Sequence, residues 1–206
     1  MTYSLYYVDG SASMGIRVIL EEIGEPYELI MTTMDMNKVR SKEQLRLNPN
    51  GWVPILKWEN KSMYECAAIT IFLCDRHPAA RLAPDLDSPE RGSFLQTLVY
   101  FSNSVQNAFQ MDYYPSRFAD KKTDEPSVQR RGHRRLRETW QVINDQIEGR
   151  LWSVGDMFTA VDIYLFMLTT WLTPSRGQPS VDEFPNVKRI ADKVIRRQSV
   201  KRVYDL

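Results

Sequence analysis

Reactive side chains are scarce in this chain: it has two cysteines and two histidines among 206 residues. Cys66 and Cys74 are spaced too widely for a C-x-x-C redox or zinc unit, and His77 and His133 alone do not assemble a multi-histidine site. Disulfide scaffolds, structural zinc and any resident metal are therefore set aside. Long apolar runs are missing too, since nowhere do roughly 18 apolar residues follow one another as a membrane span requires. The opening MTYSLYYVDGS lacks the basic-then-apolar order of a secretory leader, so the expectation is a cytoplasmic protein with no membrane partner. An excess charge of one sign is also absent: Lys+Arg number 27 against Asp+Glu 26, which gives no field to draw in nucleic acid. The run Arg130 to Arg137 opens an amphipathic pattern and follows acidic residues, so it reads as a solvated helix face.

What the chain does have is 43% hydrophobic residues, enough to bury one large core or two small ones. Residues 4 to 8 (SLYYV) read as a strand closed by Asp9-Gly10. Ile16, Ile19, Leu20 and Ile23 then recur at the spacing of one helical face. Tyr27 to Met31 reads as a second strand, and Ser41 to Leu47 as a short helix ended by Asn48-Pro49-Asn50-Gly51. Val53 to Trp58 and Ser62-Met63 form a hairpin around Glu59-Asn60-Lys61. A helix from Glu65, with Ala68, Ile69, Phe72 and Leu73 on one side, stops at His77-Pro78.

Residues 78–88 have linker composition, and beyond them the patterns are helical. The clearest stripe runs through Leu136, Trp140, Ile143, Ile147 and Leu151. The expected organisation is an α/β domain over 1–77, a linker over 78–88 and an all-α domain over 89–206.

Two short segments carry chemistry. Pro54, in Asn48-Pro49-Asn50-Gly51-Trp52-Val53-Pro54, enters a strand without a donor for the ladder, which points to an edge or to a cis bond at Val53-Pro54. Glu65-Cys66-Ala67-Ala68-Ile69 opens a helix whose N-terminal N–H groups suit an anion, while Glu65 offers a negative charge to an amine. A ligand bearing both a carboxylate and an ammonium fits that pair.

With N-P-x-G-x-V-P followed by E-[S/C]-x-A-I inside a β-α-β-α-β-β-α order, and helices after it, the sequence resembles the cytosolic glutathione transferases. The T-x-x-D capping signature Thr159 to Asp162 and the Phe184-Pro185-Asn186-Val187 stretch extend the resemblance over nearly the whole chain. The resemblance implies an α/β thioredoxin-like N-terminal domain that binds glutathione as co-substrate, and an all-α C-terminal domain that supplies the electrophile pocket. It implies that Pro54 is cis, that Val53 offers its backbone to the cysteinyl part of glutathione, and that Glu65 and Cys66 hold the γ-glutamyl end. Cys66 stands where the family usually has serine or threonine. It reads as a buried or glutathione-contacting thiol without chemistry of its own.

Catalysis in this family needs a group that keeps the glutathione thiol ionised, against a free-thiol pKa of about 8.5. Ser11, in the turn opening the first helix, is the first choice. Ser13, the natural N-cap, and Tyr6, near the end of the first strand, follow it. Phe109, Tyr113, Tyr114 and Trp171 are candidate electrophile contacts. The family's two-fold pairing would bring Asn103 and Gln106 toward a partner's glutathione in a homodimer.

The leading function is conjugation of glutathione to small hydrophobic electrophiles, a detoxifying transfer. Glutathione-dependent isomerisation of the zeta type is the alternative, suggested by Ser11, Ser13 and Arg17 and weakened by Ala12 where that class has cysteine. A non-catalytic interaction module of the same fold is a third reading.

Overall fold

A computed structural model describes residues 2–35 and 38–206. The chain divides into two compact units, one of Met1–Ser88 with Ile195–Leu206 and the other of Pro89–Val194.

The first unit is built on a four-stranded sheet in the order β2-β1-β3-β4: β1 (Tyr3–Tyr7), β2 (Tyr27–Met31), β3 (Ile55–Trp58) and β4 (Lys61–Tyr64). β1 runs parallel to β2 and antiparallel to β3, and β3 and β4 form the expected hairpin. Central β1 buries Tyr3, Leu5, Tyr6 and Tyr7, as a strand covered on both faces must.

Helix α1 (Ser13–Ile23) buries Ile16, Val18, Ile19 and Leu20 and stops at Gly24, whose φ of 78° lets its N–H close on the Leu20 carbonyl at 3.0 Å. Short α2 (Lys42–Leu47) follows, capped by the Ser41 hydroxyl. α3 (Cys66–Arg76) buries Cys66, Ile69, Thr70, Leu73 and Cys74. The expected stripe through Ala68 and Phe72 is rotated: Ala68 is exposed and Phe72 is half-buried against Trp58, ring centroids 4.5 Å apart. Thr70 fits the buried face because its hydroxyl donates to the Cys66 carbonyl at 2.8 Å.

The last helix, α9 (Gln198–Tyr204), belongs with this unit and packs on α1, although the sequence pattern placed all of 89–206 in the helical half. Arg197 grips the Glu22 carboxylate with two bonds of 2.7 Å, and Ser199 and Arg202 donate to Glu22 and Glu21. No local pattern announces an attachment spanning so much sequence.

The second unit is helical: α4 (Arg91–Tyr100), a π-helical turn over Phe101–Val105, α5 (Gln106–Tyr113), α6 (Glu125–Gln146), α7 (Ala160–Thr169) and α8 (Pro185–Val194). Its core gathers Phe94, Phe101, Leu136, Trp140, Ile143, Tyr164 and Phe184. The α6 stripe ends sooner than expected. The chain turns through Gly149 at φ 70° and leaves Leu151 51% exposed. α5 and α6 cross so closely at Gly132 that a Cβ there would sit 2.9 Å from Met111 Cβ. α7 buries every residue from Ala160 to Leu168 and starts from the capping box of Thr159 and Asp162.

Candidate functional site

In the first unit, Ile55 pairs with Tyr6 on one side and with Tyr64 on the other. Pro54 and Glu65, the next residues along, therefore come together at one end of the sheet. The Val53-Pro54 peptide is cis, as the resemblance implied. Beside it Glu65 links β4 to α3 with φ 78° and ψ 112°, a conformation that costs a non-glycine residue of order 1–3 kcal/mol. The Glu65 carboxylate is exposed and does not cap its own helix, so it faces outward at the positive end of α3. Cys66 is buried, and its Sγ lies 3.6 Å from the Ala12 carbonyl, which ties the start of α3 to the turn that opens α1.

That turn holds both candidate serines in one neutral network. Ser11 donates to the Val8 carbonyl at 2.7 Å and lies 2.6 Å from Ser13 Oγ, and its own oxygen accepts the Ser13 N–H at 3.1 Å. Ser13 Oγ accepts the Val8 N–H at 3.0 Å and lies 3.2 Å from the Val8 carbonyl. Exposure is 2% for Ser11 and 0% for Ser13. The N-cap position of α1 falls on Ala12, so Ser13 is the first helical residue rather than the cap.

Tyr6 is placed elsewhere. It packs with Val53 and Ile55 among Val8, Ile30, Met34 and Leu47, and its hydroxyl lies near Glu43 and Lys57. Burial pushes its phenol up, the direction opposite to the one thiolate activation by a tyrosine would want. Arg17 is likewise engaged: it lies over the Tyr7 ring at 5.3 Å and donates to the Tyr27 hydroxyl at 3.3 Å.

The loop before Pro54 is held by side chains that the sequence pattern did not single out as site residues. Gln44 is 1% exposed, donates to the Gly51 carbonyl at 3.0 Å and accepts from the Thr32 hydroxyl at 2.6 Å. Asn48 donates to the Trp52 carbonyl at 3.0 Å and accepts the Asn50 N–H at 3.1 Å. Periodicity hides Gln44 because its apolar neighbour Leu45 is the exposed one.

In the second unit, three of the four aromatic candidates meet. Phe109 stacks on Tyr113 with centroids 6.3 Å apart and meets Trp171 edge-on at 5.5 Å. Phe109 is fully buried, Tyr113 is anchored by its hydroxyl to the Trp171 carbonyl at 2.7 Å, and Tyr114 is half-buried. Asn103 is exposed on the π-helical turn, and Gln106 accepts a hydrogen bond from the Tyr164 hydroxyl. Among the described residues no group of three or more His, Cys, Asp and Glu is placed to hold a metal, and no helix is long and apolar enough to cross a membrane.

A mixed four-stranded sheet of thioredoxin-like order, with a cis proline beside a helix N-terminus and a helical second unit, defines a two-domain, glutathione-transferase-like architecture. The model of the glutathione S-transferase N-terminal domain matches residues 5–81, and that of the C-terminal domain matches residues 105–198. The chain belongs to the glutathione S-transferase family of enzymes. It is 26% identical over 171 residues to glutathione S-transferase GST-4.5 of Xanthomonas campestris pv. campestris, covering 81% of each chain. It is also 27% identical over 206 residues to the maleylacetoacetate isomerase maiA of Aspergillus fumigatus, covering 96% of this chain and 87% of that one. A crystal structure of a glutathione transferase homologue from Sulfitobacter with bound glutathione superimposes with a TM-score of 0.89 at 22% identity, over 99% of this chain and 97% of that one.

Proposed function

We propose that this chain conjugates the thiolate of glutathione to small hydrophobic electrophiles. The observation that carries the reading is Glu65, a non-glycine residue strained to φ 78° beside a cis proline at the start of α3. Strain of this kind persists where a site needs it. Here it turns a carboxylate outward, toward an amine, within reach of helix N–H groups suited to a carboxylate. Val53 then presents its backbone to the middle of the tripeptide, and Cys66 contributes its N–H at the first turn rather than its buried thiol.

Ser11 is the side chain assigned to the sulfur. Its hydrogen is bonded to the Val8 carbonyl, and Ser13 Oγ already lies 3.2 Å from that same oxygen. Ser11 can turn toward an incoming thiolate while Ser13 takes over the carbonyl. The buried polar groups of the turn stay satisfied through the exchange, which limits its cost. Phe109, Tyr113 and Trp171 supply the apolar surface for the electrophile, and two copies pair as a homodimer of twice the 24.1 kDa chain mass. The chain acts in the cytoplasm, in detoxification.

Calorimetric titration with glutathione tests the reading. Because Glu65 is exposed, Glu65→Ala should weaken binding by about tenfold, the ~1.4 kcal/mol of a solvent-screened charge-assisted hydrogen bond, in a protein of unchanged melting temperature. Equal affinity in the two proteins would remove Glu65 from the site. An electrophile panel that includes maleylacetoacetate separates conjugation from isomerisation.

A further inference from the structure

We propose that Gln44 and Asn48 are positioning residues for the glutathione site, fixing the peptide groups around Val53 by holding the two carbonyls before it. This rests on the reading of Val53 and Pro54 as glutathione contacts. Consecutive carbonyls are each claimed by a buried amide: Gly51 by Gln44 Nε2 at 3.0 Å and Trp52 by Asn48 Nδ2 at 3.0 Å. Both amides are 3% exposed or less, and both are used at each end. Gln44 is oriented by the Thr32 hydroxyl at 2.6 Å, just past the end of β2, and Asn48 by the Asn50 N–H at 3.1 Å. Arg40 Nε adds a third donor, to the Gly51 carbonyl at 3.2 Å.

A carbonyl held in a fixed direction fixes the plane of its peptide. Held at Gly51 and Trp52, the chain delivers the Val53 N–H, which belongs to the Trp52 peptide, in one orientation. Gly51 has φ 70°, and a Cβ there would meet Arg40 Cγ at 3.1 Å, so the backbone turns under these donors where a side chain would crowd them. The arrangement pre-orders a backbone contact, and pre-ordering affects affinity by reducing what binding must still immobilise.

Three variants test this: Gln44→Met, Asn48→Asp and Asn48→Ala. Asn48→Asp keeps the acceptor for Asn50 and puts an acceptor-only carboxylate oxygen against the Trp52 carbonyl in place of the donor, so it keeps the hydrogen bond of the turn while removing the hold on that carbonyl. The expected result is a glutathione Kd raised at least tenfold by Gln44→Met and by both Asn48 variants. KM for glutathione should rise in parallel, while kcat at saturating glutathione and KM for the electrophile move less than twofold. Restoration of parent affinity by Asn48→Asp would overturn the proposal, because the loop alone would then suffice. If Gln44→Met does not fold, Arg40→Met reads the same Gly51 carbonyl from the exposed side, with a smaller, roughly threefold rise expected; no rise there, with parent affinity in Asn48→Asp, defeats the proposal. A parent protein that does not bind glutathione would sink the site assignment itself, whereas a binding parent with equally tight variants would sink only the positioning role.

Discussion

Each of the two units buries a knot of polar side chains, and the knots are built oppositely. In the first unit the knot of Ser11, Ser13 and the Val8 backbone is neutral, and its partners are at most five positions apart in sequence. In the second, Asp112 is charged and draws its donors from afar: His133 Nε2 at 2.8 Å, Arg176 Nε at 3.1 Å and Gln178 Nε2 at 2.6 Å, the last 66 residues away. The neutral knot shapes a few residues of backbone and leaves hydroxyls able to change partners with little electrostatic cost. The charged knot fastens α5, α6 and the 171–180 loop, and it has no such freedom, because a buried carboxylate that loses donors is penalised heavily. Adaptable groups thus stand at the proposed reaction centre, and the ionic ones stand where rigidity is wanted.

The sharpest way to break this contrast is at Ser11. If its hydroxyl changes partner from Val8 to sulfur, Ser11→Ala should lower turnover at neutral pH by about 10²–10³, the loss found when a single anion-stabilising donor is removed. Raising the pH should recover part of the loss as the bound thiol ionises unaided. Ser13→Ala should cost less rate and more stability, since it takes the acceptor from the half-buried Val8 N–H. Equal rates in the parent, Ser11→Ala, Ser13→Ala and Tyr6→Phe would assign thiolate stabilisation to backbone N–H groups.

In the second unit the effect should appear in stability. Asp112→Ala removes the acceptor of three side chains at once and should cost about 3 kcal/mol by urea denaturation, with Asp112→Asn costing less because one acceptor remains. A loss below about 1 kcal/mol in the alanine variant would show that the knot is incidental.

Acid gives a second handle on the same carboxylate. Burial acts to raise its pKa, but the donors from Gln178, His133 and Arg176 outweigh burial and hold it below the ordinary aspartate value of 3.8. A depressed folded value stabilises the fold above the ordinary range, and that contribution disappears as pH falls through 3.8 toward the folded value. The stability gap between parent and Asp112→Asn should therefore be widest near neutrality and narrow below about pH 4. A gap constant from pH 7 to pH 3 would mean that the carboxylate charge contributes nothing.

The same contrast explains what the sequence discloses. The serine turn, the Asn48 to Gly51 turn and the capping box at Thr159 each lie within one or two helical turns of chain, and the α6 stripe repeats in steps of three and four residues, where spacing fixes contact. Val53, Pro54 and Glu65 stand in a motif whose parts are some ten residues apart, still within one hairpin and helix. Long-range partners have no such signature. Nothing near Asp112 announces Arg176 or Gln178, nothing near Glu22 announces Arg197, and Gln44 looks like a surface residue of a polar helix until Thr32 and Gly51 close around it.

The smallest effect tests whether burial, rather than charge, gives the Asp112 knot its weight. Arg137 Nε donates to Glu183 at 3.2 Å, a separation close to that of Arg176 and Asp112. Both partners of the Arg137 pair are nearly half exposed, whereas Asp112 is buried. Water screens the exposed pair and competes for its donors, so Arg137→Met, which keeps most of the aliphatic stem, should change unfolding free energy by about 0.5 kcal/mol or less. That difference should vanish in roughly 0.5 M salt, where the screening length is only a few ångströms. The Asp112→Ala deficit should persist in the same salt, because the carboxylate that its three donors share is buried, even though Arg176 itself is partly exposed. If both deficits fell together with salt, the Asp112 knot would be a surface network in its energetics, and the distinction drawn between the two units would fail.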